Sequence, residues 1–137
     1  MQGIARDKNA IGLFGYAYFV ENQKRLNALS IVAAAGKPAV APSEKTVENG
    51  TYQPLARPIF IYVNGKSLDR TEVREFVEFY LKHGGALARE VKYVALPPKA
   101  YELARAHLKN KKLGTVFGGT AEVGVTIDEL LQRESKQ

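Results

Sequence analysis

Arg57-Pro58-Ile59-Phe60-Ile61-Tyr62-Val63-Asn64-Gly65 is the stretch on which the fold turns. Its five central residues are apolar, and each is β-branched or aromatic, a shape that packs well on a pleated sheet. Pro58 stands at the start of the run, where a missing donor costs the ladder least. Asn64-Gly65 ends it with residues that accept φ > 0 and turn the chain. Apolar residues at consecutive rather than alternate positions predict a strand covered on both faces. Such a strand needs neighbours, and the rest of the chain offers few.

Upstream, Ile11 to Val20 is apolar and aromatic with Gly12 and Gly15, which predicts a tight bend or short strand, then a helix from about Tyr16 to Leu26. The aromatic cluster at 14–19 is expected in the core. Leu29 to Ala35 predicts a strand ended by Gly36-Lys37-Pro38. Val40 to Gly50 predicts a short helix with Ser43 as N-cap and Gly50 at its close. Downstream, Val73, Phe76, Val77, Tyr80 and Leu81 form an apolar stripe at helical spacing. Asp69 with Glu72 resembles a capping box ahead of it, and Gly84-Gly85 is expected to end the helix. Pro97-Pro98 opens another helix to about Leu108, with Ala100, Tyr101, Ala104 and Leu108 on one face and Lys109 to Gly114 closing it. Thr115 to Gly119 reads as a short strand or an apolar tail. Thr126-Ile127-Asp128-Glu129 is a capping box before a short last helix. The pattern is α/β with an incomplete sheet and a helix-rich second half. Helices with apolar faces need a sheet to cover, so the missing strands are expected on another polypeptide, on a second copy of this chain, or on a segment upstream.

The 137 residues suit one modest domain or a piece of a larger one, with 45% hydrophobic and 25% charged residues. No apolar stretch approaches the roughly 20 residues of a membrane span. A formal net charge of +6 attracts anions without choosing among them. The absence of cysteine excludes disulfide and thiolate chemistry. The first residues lack the apolar core of a signal peptide, which predicts either an intracellular protein or a chain without its original N-terminus.

Reactive chemistry has no visible carrier. His83 and His107 are far apart and read as helix-end residues, where protonated imidazole complements the dipole. Metal-ligand spacing is absent. Glu72, Glu75 and Glu78 fall on the solvated side of the stripe, and Ser30, Ser43, Ser67 and Ser135 lack a nucleophile context. Phe117-Gly118-Gly119-Thr120 lacks the Lys-Ser/Thr ending of a phosphate loop and reads as a plain loop. Lys109, Lys111 and Lys112 form a basic patch without interleaved aromatics, so nucleic acid is not expected. No catalytic residue, metal or cofactor is assigned.

The order of segments carries a resemblance. Asp7 to Phe19, then Val40-Ala41-Pro42-Ser43, Asn49-Gly50-Thr51-Tyr52 and Pro54 to Val63, resemble the periplasmic phosphate-binding proteins of ABC importers, the PstS type. The helix ending at Tyr80-Leu81, the Tyr93-Val94-Ala95-Leu96-Pro97 segment and the tail from Gly114 to Leu131 are similar too, the tail to cyanobacterial members. The likeness spans nearly the whole chain and only the C-terminal part of the family. It implies a portion of a two-lobe, type II-like periplasmic-binding-protein fold. Residues 1–56 would be part of the second lobe, 57–65 a crossing or hinge strand, and 66–137 the C-terminal helical part of the first lobe.

The resemblance implies a scaffold and hinge role, with Arg57, Pro58, Phe60 and Tyr62 as hinge residues. In the family, a glycine-rich loop, an acidic residue and an Arg with a Ser-Gly-Thr segment hold phosphate. No residue of this chain matches them, so no ligand residue is carried over. The implied partners are inorganic phosphate in the complete protein, the membrane subunits of the importer, and an N-terminal fragment or second copy; the implied location is periplasmic. The alternative is a truncated homologue that dimerises or docks on a partner without binding phosphate. Phe60→Asp is expected to destabilise any fold of the chain, because an unpaired buried charge is costly.

Overall fold

The computed structural model describes residues 1–115, 117, 122 and 125–136. The first part of the chain is lightly ordered. Helix α1 spans Gln2–Arg6 and α2 spans Tyr16–Glu21, so Lys24-Arg25 lies past the helix end rather than in its last turn. Strands β1 (Ile31–Val32) and β2 (Ala39–Val40) form an antiparallel pair, with Ile31 opposite Val40 and Val32 opposite Ala39. The expected strand over 29–35 is shortened because Ala34 C=O accepts the Lys37 N–H at 3.0 Å, with Gly36 at φ 77°. Alanines have little β preference to resist that turn. Val40 joins the strand and not the helix, since Pro42 disfavours helical backbone at Ala41 and so keeps the helix from reaching back to Val40.

Helix α3, Glu44–Glu48, starts where the sequence places it. Ser43 Oγ accepts the Thr46 N–H at 3.1 Å, and Thr46 Oγ1 accepts the Ser43 N–H at 2.9 Å. Gly50 at φ 71° ends it.

Residues 57–63 carry no ladder, which corrects the expectation of a covered strand. Ile59 is 69% exposed and Tyr62 82% exposed. The only sheet among the described residues is two-stranded and lies elsewhere, so this run has no edge to join. Asn64 sits at φ −67° and turns nothing left-handed; its Oδ1 accepts the Lys66 N–H at 3.0 Å and starts a 3₁₀ helix, Gly65–Asp69.

Helix α4, Thr71–Glu90, is about 30 Å long. The Asp69–Glu72 capping box does not form. Arg70 is the N-cap, its guanidinium reaches Glu72 at 2.6 Å, and the Asp69 carboxylate instead meets Lys111 at 3.3 Å. Gly84-Gly85 lies inside α4 and not at its end. The ring of Tyr101, on helix α5 (Pro98–Lys109), rests against the pair: a Cβ on Gly84 would stand 3.1 Å from Tyr101 Cε1, and one on Gly85 3.4 Å from Cε2. Glycine here gives a neighbouring helix room to approach, at some cost in helix propensity. Pro98 opens α5 as expected.

Both helices close on a lysine in the left-handed region. Lys92 (φ 62°) donates to Arg89 C=O and Tyr93 to Ala88 C=O; Lys111 (φ 49°) donates to Leu108 C=O and Lys112 to His107 C=O. These paired bonds are Schellman closures, and Lys111 closes α5 before Gly114 is reached. Helix α6, Ile127–Lys136, packs on α5. The expected tail at 115–119 lies largely outside the described residues.

Burial is sparse. Val77, Ala95 and Leu130 are the buried apolar residues among those described. A folded chain of this size exposes about 7,100 Å² by the usual scaling, whereas this one exposes 10304 Å². The stripe of α4 shows why. Its Val73–Val77–Leu81 row turns inward, Val77 being 5% exposed, while Phe76 is 65% exposed. The aromatic cluster at 14–19 is not a core either: Phe14 and Tyr18 are exposed and none of the six residues is buried.

Two outcomes test this account. Leu130→Ala should cost about 2–5 kcal/mol, a large share of any domain's stability, and release α6, seen as lost helical circular dichroism with unchanged α4–α5 signals by NMR. Lys92→Gly should stabilise by about 0.5–1 kcal/mol, because leaving a non-glycine residue in the left-handed region costs about 1–2 kcal/mol and added glycine entropy offsets part of the relief. Thermal unfolding checks it; a lower Tm would contradict the closure geometry.

Candidate functional site

The hinge residues named from the sequence do not converge. Arg57 is exposed and Pro58 half-buried. Phe60 meets Phe117 edge-on, ring centroids 5.6 Å apart at 81°. Tyr62 stands in solvent. Leu113 closes over the end of the run, its Cδ2 2.8 Å from where a Gly65 Cβ would be. Phe60 and Gly65 therefore lie beside Phe117 and Leu113, and little of the 57–65 run is buried. In this chain Phe60 is 43% exposed, so the strong effect expected of Phe60→Asp is corrected to loss of one aromatic edge contact.

The helix starts at Ser43 and Thr126 are both capped by the chain itself. At α3 the N-cap and N3 amides are taken, Ser43 N–H by Thr46 Oγ1 and Thr46 N–H by Ser43 Oγ. At α6, Thr126 Oγ1 accepts the Glu129 N–H at 3.2 Å, and Glu129 Oε2 accepts the Thr126 N–H at 3.1 Å. A carboxylate already sits in the positive end of that dipole, where it would repel a second anion.

The histidines divide. His83 is mid-helix, not at a helix end, and stacks on Phe79 at 4.6 Å. His107 is in the last turn of α5, where its Nδ1 lies 3.0 Å from Glu134 Oε2 and ties α5 to α6. Lys112 Nζ lies 3.5 Å from His107 Nε2 and donates to the Glu134 carbonyl at 3.4 Å. The basic patch at 109–112 is thus split: Lys112 turns to α6 and Lys111 to Asp69. Among the described residues, no group of three His, Asp or Glu is placed to hold a metal, and no helix is long and apolar enough to cross a membrane.

Glu72 and Glu122 are held below the usual carboxylate range. For Glu72 the hydrogen bond from its own backbone N–H is the larger cause and Arg70 the next; for Glu122 it is the hydrogen bond from Arg133, at 2.8 Å. Both pairs are exposed, so they are screened surface contacts and not a perturbed active site.

One feature was not visible from sequence. An open cleft of about 770 Å³ lies between the 3₁₀ helix, α4 and α5, lined by Arg74, Lys82, Arg105, Lys109 and Lys111 with one carboxylate, Glu78. The signal was present as charged residues four apart on each helix (Arg105 and Lys109; Arg74, Glu78 and Lys82), but each row alone reads as a solvated face. A smaller hollow, about 160 Å³, separates α1 from the residues after α2.

Comparison with known proteins follows the sequence resemblance. The chain is 49% identical over 134 residues to Protein SphX of Synechococcus elongatus, covering 98% of this chain and 40% of that protein. It is 42% identical over 136 residues to Protein SphX of Synechocystis sp., again covering 40% of the relative. Against the phosphate-binding protein PstS of Staphylococcus aureus it is 39% identical over 110 residues, 80% of this chain and 33% of that protein. A solved structure described as a possible phosphate binding protein from Planctomyces limnophilus superposes with a TM-score of 0.66 at 41% identity, over 82% of this chain and 40% of that one. No protein-family model matches. The chain spans about two fifths of the length of both SphX proteins and of the Planctomyces protein. Its fold is accordingly a part of a two-lobe α/β binding protein, with an incomplete sheet and a helix-rich second half.

The Glu122 pair yields a pH test. A carboxyl held low in the folded state adds stability above its unfolded titration range, and that contribution fades as pH falls through the folded value. Carboxylate NMR should place the Glu122 midpoint below that of an ordinary glutamate, and Arg133→Gln should return it to the ordinary range. An unshifted midpoint in the unaltered chain would contradict the ion pair.

Proposed function

Because the chain is homologous to one portion of the PstS and SphX proteins, we propose that it is the scaffold-and-hinge portion of a phosphate-binding subunit of an ABC phosphate importer, working in the periplasm with the importer's membrane subunits. Residues 1–56 belong to one lobe, 57–65 cross between lobes, and 66–137 pack their helices on the other. Arg57, Pro58, Phe60 and Tyr62 belong to the crossing segment, and the phosphate ligands lie in sequence beyond the stretch matched here. The chain has no catalytic role in this reading.

The observation that carries it is the state of Ile59–Val63. These β-branched and aromatic residues run consecutively, as in a strand buried on both faces, yet they have no ladder and stand largely in solvent. An exposed run of that composition invites pairing, and a sheet completed by the rest of the relatives' length satisfies it. The capping boxes at Ser43 and Thr126, each of which takes two amides of a helix start, agree with phosphate ligands lying elsewhere. The same exposed run also favours a second reading, in which two copies pair through it and no phosphate is bound.

Calorimetric titration with inorganic phosphate, alongside the solution mass, separates these. The chain alone should give no saturable heat. Adding the preceding portion of a SphX sequence as a separate polypeptide should restore one-site binding and form a one-to-one complex. Saturable binding by the chain alone would overturn the scaffold reading. A stable homodimer that ignores both phosphate and the added portion would establish the second reading.

A further inference from the structure

The α4–α5 cleft carries an inference independent of the phosphate reading. Its cations come from two packed helices and the loop after them: Arg74 and Lys82 from α4, Arg105 and Lys109 from α5, and Lys111 from the αL closure of α5. Arg105 and Lys109 are four residues apart on one helix, where like charges repel. Among the described residues no ion pair is recorded at Arg74, Lys82 or Lys109; Arg105 reaches only the Leu81 carbonyl, at 3.4 Å. Lys111 is the one member with a carboxylate partner, Asp69, and that pair is exposed.

The chemistry of the cleft narrows its occupant. A single small anion is a poor fit, because the cations are exposed and spread around about 770 Å³ of space, where water screens each of them. Single-stranded nucleic acid would need aromatic faces for its bases, and no aromatic residue lines the cleft. A bilayer surface is broad and planar, whereas this basic surface is concave. Leu68 and Leu108, both half-buried, give the cleft an apolar part beside its cationic rim. Apolar anchors flanked by acidic residues complement that arrangement, as in a helix laid in a groove, and a chain of net charge +6 steers such a partner by its field. We propose that the cleft between α4 and α5 docks an acidic amphipathic segment of a partner protein.

The test is fluorescence anisotropy with the full chain and a labelled peptide of about 14 residues, four helical turns, carrying Leu at i, i+4 and i+7 and Glu between. Binding should saturate and weaken about tenfold or more as salt rises from about 20 mM to about 150 mM, where the Debye length falls to about 8 Å. Lys82→Glu combined with Arg105→Glu should abolish it without changing circular dichroism, since both side chains are exposed. Glu78→Gln should strengthen it by removing the lining's only carboxylate. A matched peptide with Ser for Leu should bind more weakly, leaving Leu68 and Leu108 unfilled. Binding that ignores the charge reversals, or equal binding of the Ser peptide, would overturn the proposal. So would tighter binding of single-stranded DNA of equal length, or of vesicles rich in anionic lipid.

Discussion

Tyr101 lying against Gly84-Gly85 is the contact on which the ordered half of the molecule depends. A long helix was free to stop at two glycines; instead it continues six residues, counted from Gly84, to Glu90, because the absent side chains let another helix approach. That approach sets α5 against α4, where Arg105 also reaches the Leu81 carbonyl. It also fixes where α6 can sit, since α6 is attached through α5 by His107 and Glu134. The basic cleft is a further product of the same crossing, for it exists only where rows from both helices face one gap.

Everything outside that packing is underburied, and the surplus is apolar. Phe76 and Phe79 on α4, the Ile59–Val63 run and the aromatic cluster after Gly12 all present large side chains to water. Such patches mark surfaces made for covering. A two-stranded sheet of two residues each cannot do it, being too small to be stable by itself. The proposed place of the chain within a two-lobe binding protein gives these faces a common explanation: helices laid on a sheet whose strands come mostly from elsewhere.

Electrostatics distributes the same way. Several negative groups are committed locally: Glu129 to the start of α6, Glu72 to Arg70, Glu122 to Arg133 and Glu134 to His107. Positive groups outnumber them, and those of the α4–α5 cleft remain largely uncommitted. The surface therefore offers a concentration of positive charge at the cleft, where acidic partners would be drawn.

Local features were legible in the sequence because their causes are local. Ser43 as an N-cap, Pro98 at a first helical turn, the Thr126–Glu129 capping box and the periodicity of α4 each follow from residues within one or two turns of one another. The segment order also carried the likeness to phosphate-binding proteins, and the mismatch between many helices and little sheet pointed to an incomplete unit. What the tertiary structure alone decided involves residues distant along the chain. Gly84-Gly85 became a packing site because Tyr101 came to lie on it. Asp69 left the cap because Lys111 was near. The Ile59–Val63 run took no ladder because no strand edge was beside it. Arg74, Lys82, Arg105 and Lys109 became one site because two helices crossed. Propensity and capping are properties of neighbours in sequence, whereas pairing, burial and charge convergence depend on what the rest of the chain brings alongside.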